Sequence, residues 1–334
     1  MKKQKIVFLY EGPHPVHAAW AKAVGAKFIA DLDPGPKLGK SWLKRFFNAF
    51  RRLFILNRIP KDTDVLLLEG GLGFIVGFLF KKFRKGKVIM ICSDPLFKIL
   101  RENKLLGKIG YYMTKNFDGF IATSKLMFNF IPFKNKEIVY PFAYTERFSK
   151  IKVNINSKNI IYVGIINKQK GVDRIVKIFF QIQKKIPEAK LFLVGEGPLK
   201  EKIKAINNEA IVLTGFIKNP ERYMSKCAIY INLSRLDPFG VGVIEAMAAG
   251  LVPIISENVG AKDIVEKIDK SLIVKDEEEA TKKIIELFRN KKKLKALSIK
   301  VKKMGIKQNK KNSIKAFKRA FFNFVKNKKI KLFF

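Results

Sequence analysis

The sequence has few cysteines and few histidines. Among 334 residues there are two of each. Cys92 and Cys227 do not make a disulfide framework, and such sparse cysteine is typical of a reducing compartment. The histidines, His14 and His17, share one loop and lie far along the chain from both cysteines. We therefore expect no zinc site and no other bound metal.

Acidic residues are also scarce. The chain has 68 lysines and arginines against 28 aspartates and glutamates, a formal net charge of +40. Such an excess favours an anionic partner, which could be a nucleic acid, a membrane surface or a phosphate-bearing substrate. A lysine-rich composition by itself accounts for part of it. No groove-reading or base-stacking module accompanies the charge, so we expect no nucleic-acid partner.

Long hydrophobic runs are absent. The apolar run at residues 6–10 stops at Glu11, which is too short for a signal peptide. The longest apolar stretch, residues 65–80, is interrupted by Glu69 and two glycines. It falls short of the roughly 20 residues that a spanning helix needs. These patterns predict no leader, no transmembrane segment and a cytoplasmic location.

Short apolar runs rich in valine and isoleucine alternate with helical patterns. This rhythm is typical of parallel strands that are buried on both faces and joined by helices. Twelve strands are predicted, at 5–10, 26–32, 64–69, 87–92, 118–123, 137–142, 159–166, 189–195, 210–215, 228–233, 252–256 and 271–274. We therefore expect an α/β protein with two Rossmann-like, doubly wound domains that face a cleft.

The polar stretch at residues 149–159 separates the two sets of strands and is interpreted as a linker. The predicted domains are residues 1–150 and 151–310, followed by a basic segment at 311–334. Apolar residues recur at helical spacing over Ser313–Lys326, which predicts an amphipathic helix. We expect this helix to cross back to the N-terminal domain.

The stretch at residues 234–253 carries the strongest chemical pattern. A helix is predicted over Val241–Ala249, and Glu245 lies one turn inside it among apolar residues, where a carboxylate is costly to bury without donors. Asp237 precedes it by eight residues, in the loop before the helix. The backbone amides of Phe239, Gly240 and Val241 form a helix N-terminus suited to a phosphate. Two hydroxyl-binding carboxylates beside a phosphate site fit a nucleotide sugar.

This stretch resembles the E-x7-E signature of the retaining glycosyltransferases of family 4, which have the GT-B fold. The family pattern E-x-F-G-x-x-x-x-E-A-M-A-x-G-x-P stands here as D-P-F-G-V-G-V-I-E-A-M-A-A-G-L-V-P, with one extra residue before the proline. Three further blocks occur in the family's order. They are Tyr162–Gly164 with Lys170–Asp173, then Leu193–Pro198, and then Thr214–Phe216. The resemblance covers about a third of the chain well.

The resemblance implies a donor site and a mechanism. Glu245 would bind the ribose hydroxyls, Asp237 the sugar hydroxyls, and Lys170 the leaving diphosphate; these three are the catalytic candidates. The other donor-binding candidates are Gly12, Gly164, Gly215, Phe216, Ile217 near the base, and the amides of Phe239, Gly240 and Val241. The implied reaction retains the anomeric configuration and needs neither a metal nor another cofactor. The leaving phosphate takes the proton of the acceptor, and the protein positions both substrates.

Three positions depart from the family pattern. Ile165 stands where the family has an arginine, which removes one cation from the diphosphate, and Asp237 is one methylene shorter than the family's glutamate. On the acceptor side, Cys92-Ser93-Asp94 replaces a histidine–aspartate pair. The acceptor-side candidates are His14, His17, Ser93 and Asp94. These departures leave open an alternative, a weakened or non-catalytic GT-B partner subunit.

Residues 40–54 combine aromatic and basic side chains at helical spacing. This pattern is typical of an interfacial helix on anionic lipid, although a core-packed helix with a solvated polar face has the same pattern. We expect an enzyme of polysaccharide or glycolipid biosynthesis with a nucleotide sugar as donor. Its acceptor would be a glycan or a lipid-linked molecule, and it would lie peripherally on the cytoplasmic face of a membrane.

Overall fold

The computed structural model describes residues 4–10, 14–30, 52–71 and 73–326. It divides into two compact units. The first unit comprises the described residues up to Tyr140 together with those from Ser313 on, and the second unit is Pro141–Asn312. Gly12 and most of the predicted interfacial helix at 40–54 lie outside the described residues.

A six-stranded parallel sheet forms the centre of the first unit. Its strands lie in the order β2-β1-β3-β4-β5-β6. The interior of β3 is fully buried, with Leu67 paired to Phe8 on one side and Ile89 on the other. The strands are β1 (Ile6–Tyr10), β2 (Lys27–Ala30), β3 (Val65–Glu69), β4 (Lys87–Cys92), β5 (Gly119–Ala122) and β6 (Lys136–Ile138).

Helices connect these strands and cover both faces of the sheet, as the parallel topology requires. They are α1 (Pro15–Ala23), α2 (Gly73–Phe83), α3 (Leu96–Glu102), α4 (Lys104–Thr114) and α5 (Lys125–Phe130), with a short 3₁₀ helix at Arg52–Arg58. Side chains cap two of them. Asn103 accepts from the Leu106 amide at the start of α4, and Ser124 does so from Met127 at the start of α5.

The second unit has a parallel sheet of the same size, in the order β12-β11-β10-β7-β8-β9. Its strands are β7 (Ile160–Val163), β8 (Leu191–Val194), β9 (Ile211–Gly215), β10 (Ile229–Asn232), β11 (Val252–Ser256) and β12 (Ile273–Val274). All twelve predicted strands are confirmed. Most are continuous apolar runs that are covered on both faces, while β2 and β6, the edge strands of the first sheet, are more exposed.

The helices of the second unit are α6 (Thr145–Ser149), α7 (Val172–Lys185), α8 (Lys200–Lys204), α9 (Glu221–Met224), α10 (Val241–Ala249), α11 (Lys262–Val265), α12 (Glu277–Arg289) and α13 (Lys291–Lys307), with a 3₁₀ turn at Lys270–Leu272. The bounds predicted for α10 are confirmed. Its C-terminal end is held by α13, where the Ser298 hydroxyl donates to the Gly250 carbonyl at 2.6 Å.

The structure divides the chain at Tyr140, ten residues before the predicted boundary. The polar stretch at 149–159, which was interpreted as a linker, belongs to the second unit. Its backbone and side chains are bonded there: the Asn154 amide donates to the Ser225 carbonyl at 2.9 Å, and Asn159 Nδ2 donates to the Lys226 carbonyl at 2.9 Å. Polar composition therefore marks a bonded surface loop at this point.

The last helix, α14 (Lys310–Lys326), begins three residues before the predicted start, and from Ser313 on it belongs to the first unit. Trp20 of α1 stacks on Phe317 with ring centroids 5.2 Å apart, and its Nε1 donates to the Ser313 hydroxyl at 3.0 Å. The Phe324 ring covers the Cα of Gly119 at the start of β5. None of the described helices has both the length and the apolar character that crossing a bilayer requires.

Candidate functional site

The carboxyl ends of β7, β8 and β9 form one side of the candidate site. The loops after β7 and β8 approach so closely that a Cβ on Gly195 would lie 1.9 Å from the Gly164 carbonyl oxygen. The Gly195 amide also donates to the Gly215 carbonyl at 2.9 Å, which ties β8 to β9. Residue 195 has a φ of +147°, so only glycine satisfies both its backbone conformation and the close contact.

A cavity of about 290 Å³ opens at this edge. It is lined by Val163, Gly164, Ile165, Val194, Gly195, Glu196, Phe216 and Ile217. Three of the predicted donor-binding residues, Gly164, Phe216 and Ile217, are among them. A fourth, Gly215, ends β9 directly before Phe216. The Ile165 side chain, at the position of the family's arginine, is 55% exposed, and Phe216 is 76% exposed. The cavity therefore presents apolar side chains to a ligand.

Lys170 and Asp237 are 67 residues apart in the chain, and the structure brings them together. Lys170 Nζ donates to Asp237 Oδ2 at 2.8 Å, and Asp237 is 7% exposed. The backbone of Asp237 is fixed on both sides, since its amide donates to Asn258 and its carbonyl accepts from Gly260, each at 2.9 Å. The two predicted charges thus form one partly buried ion pair.

Arg235 holds the loop of Lys170 against the loop of Asp237. Its guanidinium makes two bonds to the Asp173 carboxylate, at 2.9 and 2.8 Å, and its amide donates to the Gln169 carbonyl at 2.9 Å. These bonds hold the pKa of Asp173 below its usual range. Arg235 is a positioning residue that sequence reasoning missed, because its partner Asp173 lies 62 residues away in the chain, in the first turn of α7.

The N-terminus of α10 lies directly after this pair. Gly240 precedes the first helical residue with a φ of +84°, and no side chain of the described residues caps the helix. The Phe239 side chain is buried and anchors the turn, while its carbonyl accepts from the Ala261 amide. The amides of Gly240 and Val241 are therefore at the positive end of a helix dipole, as an anion site requires.

Glu245 lies one turn along α10 and is mostly buried. Burial raises the pKa of its carboxyl to about 7, and the nearby positive charge of Arg147 opposes that rise. Arg147 itself donates to the Lys218 carbonyl at 2.9 Å and to the Asn219 side chain at 2.8 Å, in the loop that follows β9. Arg147 was not predicted from the sequence, where it is one of many basic residues.

Two buried tyrosines lie beneath the same edge. The Tyr162 hydroxyl donates to the Ile165 carbonyl at 3.1 Å and so fixes the loop after β7. Burial and the charge of Asp237 raise the pKa of Tyr162, and burial also raises the pKa of Tyr230. Both phenols therefore stay neutral hydrogen-bonding groups around Asp237.

The carboxyl edge of the first sheet gathers a second group of polar side chains. His17 Nδ1 is bonded to Glu69 Oε1, and the imidazole of His14 lies 4.5 Å from that of His17 between ring centroids. The other carboxylate oxygen of Glu69, Oε2, is buried and has no hydrogen-bond partner among the residues that the structure describes. Burial lowers the pKa of His14, followed by the charge of His17.

Asp94 lies next to this group and holds the turn after β3. Its carboxylate accepts from the amides of Gly71 and Leu96, and burial raises its pKa. Ser93 is half-buried beside it. Of the acceptor-side candidates, the structure therefore brings His14 and His17 together with Glu69, while Asp94 braces the turn. Glu69 was missed as a candidate, because in the sequence it only interrupts an apolar stretch.

Metal ligands do not converge anywhere in the part of the chain that the structure describes. No group of three or more histidine, cysteine, aspartate or glutamate side chains there is placed to hold an ion.

Residues 144–304 match the family model of glycosyl transferases group 1. This segment contains the loops that carry Lys170 and Asp237, the cavity and α10. The match covers just under half of the chain. The matched segment includes every predicted donor-binding residue except Gly12, while His14, His17, Ser93 and Asp94 lie outside it.

The chain also matches curated relatives. It is 27% identical over 273 residues to an uncharacterized glycosyltransferase of Methanocaldococcus jannaschii, covering 72% of this chain and 69% of the relative. It is 28% identical over 212 residues to the alpha-monoglucosyldiacylglycerol synthase of Acholeplasma laidlawii, covering 56% of this chain and 53% of the relative. The chain thus spans only about half to two thirds of the length of these relatives.

Solved structures show the fold beyond the matched segment. Sucrose-phosphate synthase from Thermosynechococcus elongatus has a TM-score of 0.76 at 15% identity, covering 96% of this chain and 98% of that one. HepE of Anabaena in complex with UDP-glucose has a TM-score of 0.74 at 12% identity, covering 96% and 99%. The fold is GT-B, with two Rossmann-like domains built on parallel sheets.

Proposed function

We propose that this protein is a retaining glycosyltransferase that moves a hexose-type sugar from a nucleoside-diphosphate sugar to a glycan or a lipid-linked acceptor. The observation that carries the proposal is the Lys170–Asp237 ion pair, 2.8 Å long, at the uncapped N-terminus of α10. A cation, a helix N-terminus and two carboxylates within residues 144–304 match the charges and hydroxyls of such a donor.

The donor would be bound along the carboxyl edge of the second sheet. The base enters the cavity beside Phe216 and Ile217, and the ribose hydroxyls donate to Glu245. The diphosphate lies against the amides of Gly240 and Val241. This order follows from chemistry, because apolar side chains suit the base, the helix N-terminus suits the phosphates and a carboxylate suits a pair of hydroxyls.

Lys170 and Asp237 would exchange partners when the donor binds. The ammonium of Lys170 moves its charge to the diphosphate, and Asp237 accepts hydroxyl groups of the sugar. As the bond between the anomeric carbon and the diphosphate oxygen breaks, the electron pair stays on the diphosphate, where Lys170 and the helix N-terminus stabilise it. The acceptor oxygen then bonds to the anomeric carbon on the same face, and its proton passes to the leaving phosphate. No metal or other cofactor is part of this proposal.

The acceptor would be held by the first unit. Its carboxyl edge offers His14 and His17 as hydrogen-bonding groups. It also offers Glu69 Oε2, which no group in the described part of the chain contacts by a hydrogen bond. A hydroxyl that donates to Glu69 Oε2 would satisfy a buried polar atom whose lack of a partner costs about 1–3 kcal/mol. The relative named for diacylglycerol glucosylation directs the acceptor screen to lipids first.

Ile165 has a consequence within this proposal. One cation fewer on the diphosphate removes roughly 2–4 kcal/mol of transition-state stabilisation, by comparison with the loss of a single oxyanion donor. Installing the family's cation with Ile165→Arg is therefore expected to raise the transfer rate. The position tolerates the longer side chain, because Ile165 is 55% exposed.

The test is a thermal-shift panel of nucleoside diphosphates and nucleotide sugars, beginning with UDP, on the whole chain. The nucleotide with the preferred base, at a concentration of about 100 times its dissociation constant, should stabilise the protein by about 2.7 kcal/mol. Glu245→Ala should abolish that shift, and Glu209→Gln, an exposed change on the same unit, should keep it. Failure of every nucleotide to stabilise the wild type would overturn the proposal. The anomeric configuration of the product, read by NMR, tests retention separately, and an inverted product would refute it.

A further inference from the structure

Helix α4 of the first unit turns an apolar ridge towards solvent. Leu105 is 69% exposed and Tyr112 is 58% exposed, and Leu106 and Ile109 are each 48% exposed. At 100° per residue these four side chains fall within one arc of the helix surface. A row of large apolar side chains of this kind is costly to leave in water.

The opposite face of α4 fixes the orientation of this ridge. Gly110 and Thr114 are buried, and Gly110 lies so close to Leu100 of α3 that a Cβ there would be 2.5 Å from a Leu100 methyl group. The Thr114 hydroxyl donates to the Gly110 carbonyl at 2.7 Å. The helix therefore cannot rotate its ridge into the core without losing this packing.

Basic side chains border the ridge. Lys104, Lys108 and Lys115 are exposed and fall on one flank of it. Between Asp94 and Asp118 the sequence has a single acidic residue, Glu102, and it is paired with Lys98 at 2.6 Å. The exposed surface of α4 is thus apolar along the ridge and positively charged on one flank of it.

We propose that α4 is a membrane-docking helix that lies on an anionic lipid bilayer. Its ridge enters the boundary between headgroups and acyl chains, and its lysines contact lipid phosphates. Eleven residues span about 16 Å, which suits a helix that lies in the interface and is too short to cross it. Tyr112, with an apolar ring and a polar hydroxyl, suits that boundary.

A second copy of the chain fits this surface poorly. Two α4 ridges in contact would bring the lysine flanks of both copies together, in molecules that each carry a formal charge of +40. Like charges of this kind oppose association. An anionic bilayer supplies the opposite charge and an apolar interior at once. This inference concerns the first unit alone and does not rest on the proposed function.

The chain contains a matched control helix. Helix α13 of the second unit is at least as rich in lysine, and its two large exposed apolar side chains, Ile299 at 65% and Ile306 at 39%, lie two turns apart. It has the charge of α4 without the ridge. Both native cysteines are buried, so a cysteine introduced at the surface can be labelled selectively.

The experiment places an environment-sensitive dye on Ile109→Cys and, in a separate protein, on Ile299→Cys. Each full-length protein is mixed with vesicles of phosphatidylcholine alone or with one third phosphatidylglycerol. We expect the dye at position 109 to shift to the blue on the anionic vesicles only, and the dye at position 299 to stay unchanged. Flotation of the protein with these vesicles is measured in the same samples.

Variants test the two contributions to docking. The double variant Leu105→Ser with Ile109→Ser should lower the vesicle affinity, measured by flotation, at least tenfold for each substitution. The triple variant Lys104→Gln, Lys108→Gln and Lys115→Gln should lower that affinity about 100-fold. The same three-charge loss on α13, at Lys295, Lys300 and Lys303, should have a much smaller effect.

Three results would overturn the inference. The first is a protein that does not float with anionic vesicles. The second is flotation with no dye shift at position 109, since another segment would then dock. The third is an equal loss from the α4 and α13 charge variants. Nucleotide-induced thermal shifts, measured on the same variants, report the donor site independently, so the two hypotheses can fail separately.

Discussion

Replacing Glu245 by glutamine should stabilise the ligand-free protein, although Glu245 is proposed to bind the donor. Burial raises the pKa of this carboxyl from 4.5 to about 7. A carboxyl whose pKa is higher in the folded state binds its proton more tightly there. Its ionised form therefore opposes folding, and the cost is fully present above about pH 7.

The size of the effect follows from the shift. Each pKa unit corresponds to about 1.4 kcal/mol, so an ionised Glu245 costs about 3 kcal/mol at pH 8. The cost shrinks as the pH falls through 7 and vanishes below 4.5, where folded and unfolded chains both carry the proton. Glutamine has the shape of the protonated carboxyl and avoids the cost. For a unit of this size, about 3 kcal/mol corresponds to roughly 6–12 °C in Tm.

The assay is the difference in Tm between Glu245→Gln and the wild type, measured from pH 5 to pH 8 without ligand. We expect the variant to melt higher at pH 8 and the difference to shrink steadily towards pH 5. Glu209→Gln, on the exposed surface of the same unit, should give a small difference that does not depend on pH. Added nucleoside diphosphate should narrow the difference at pH 8, because only the wild type gains from it.

A difference that is constant across this pH range would refute the reasoning. It would mean that burial does not perturb the Glu245 carboxyl in the ligand-free protein. A pH-dependent difference without loss of nucleotide binding would keep the electrostatics and reject the ribose-binding role.

Three further changes follow from the same structure. Lys170→Gln should lower kcat/KM by about 10²–10³ and destabilise the fold by about 1–3 kcal/mol, because Asp237 stays behind without its cation; transfer assays and thermal melts measure the two effects. Gly195→Ala should remove nucleotide binding and destabilise the second unit, since its Cβ would lie 1.9 Å from the Gly164 carbonyl oxygen; a variant that melts like the wild type would contradict this contact. Phe324→Ala should destabilise the first unit by about 3–5 kcal/mol, read by urea unfolding, with exposed Phe322→Ala as the control.

The strands and α10 could be predicted because their pattern is local. A strand covered on both faces is a continuous apolar run, and α10 is bounded by Gly240 and Gly250. The donor-site candidates came from motif blocks that carry their own spacing. The pairing of Lys170 with Asp237 across 67 residues could only be inferred through the family resemblance.

Other features depend on contacts between distant parts of the chain. Glu69 reads in the sequence as an interruption of an apolar stretch, and its role emerges only when His17 is placed beside it. Arg235 and Arg147 are two of 68 basic residues, and nothing local distinguishes them. The stretch at 149–159 has the composition of a linker, yet its polar groups are bonded within the second unit.

The place of α14 bears on how the chain folds during synthesis. The ribosome makes the strands of the first unit early, but the helix that covers Trp20 and Gly119 emerges only after the whole second unit. The second unit can complete its sheet while the apolar surface that α14 covers on the first unit is still exposed to solvent. Such a nascent chain is exposed to aggregation and chaperone binding for most of its translation. Stalling translation when Asn312 has left the ribosome but α14 has not should therefore trap a chain with one finished unit and one unfinished unit.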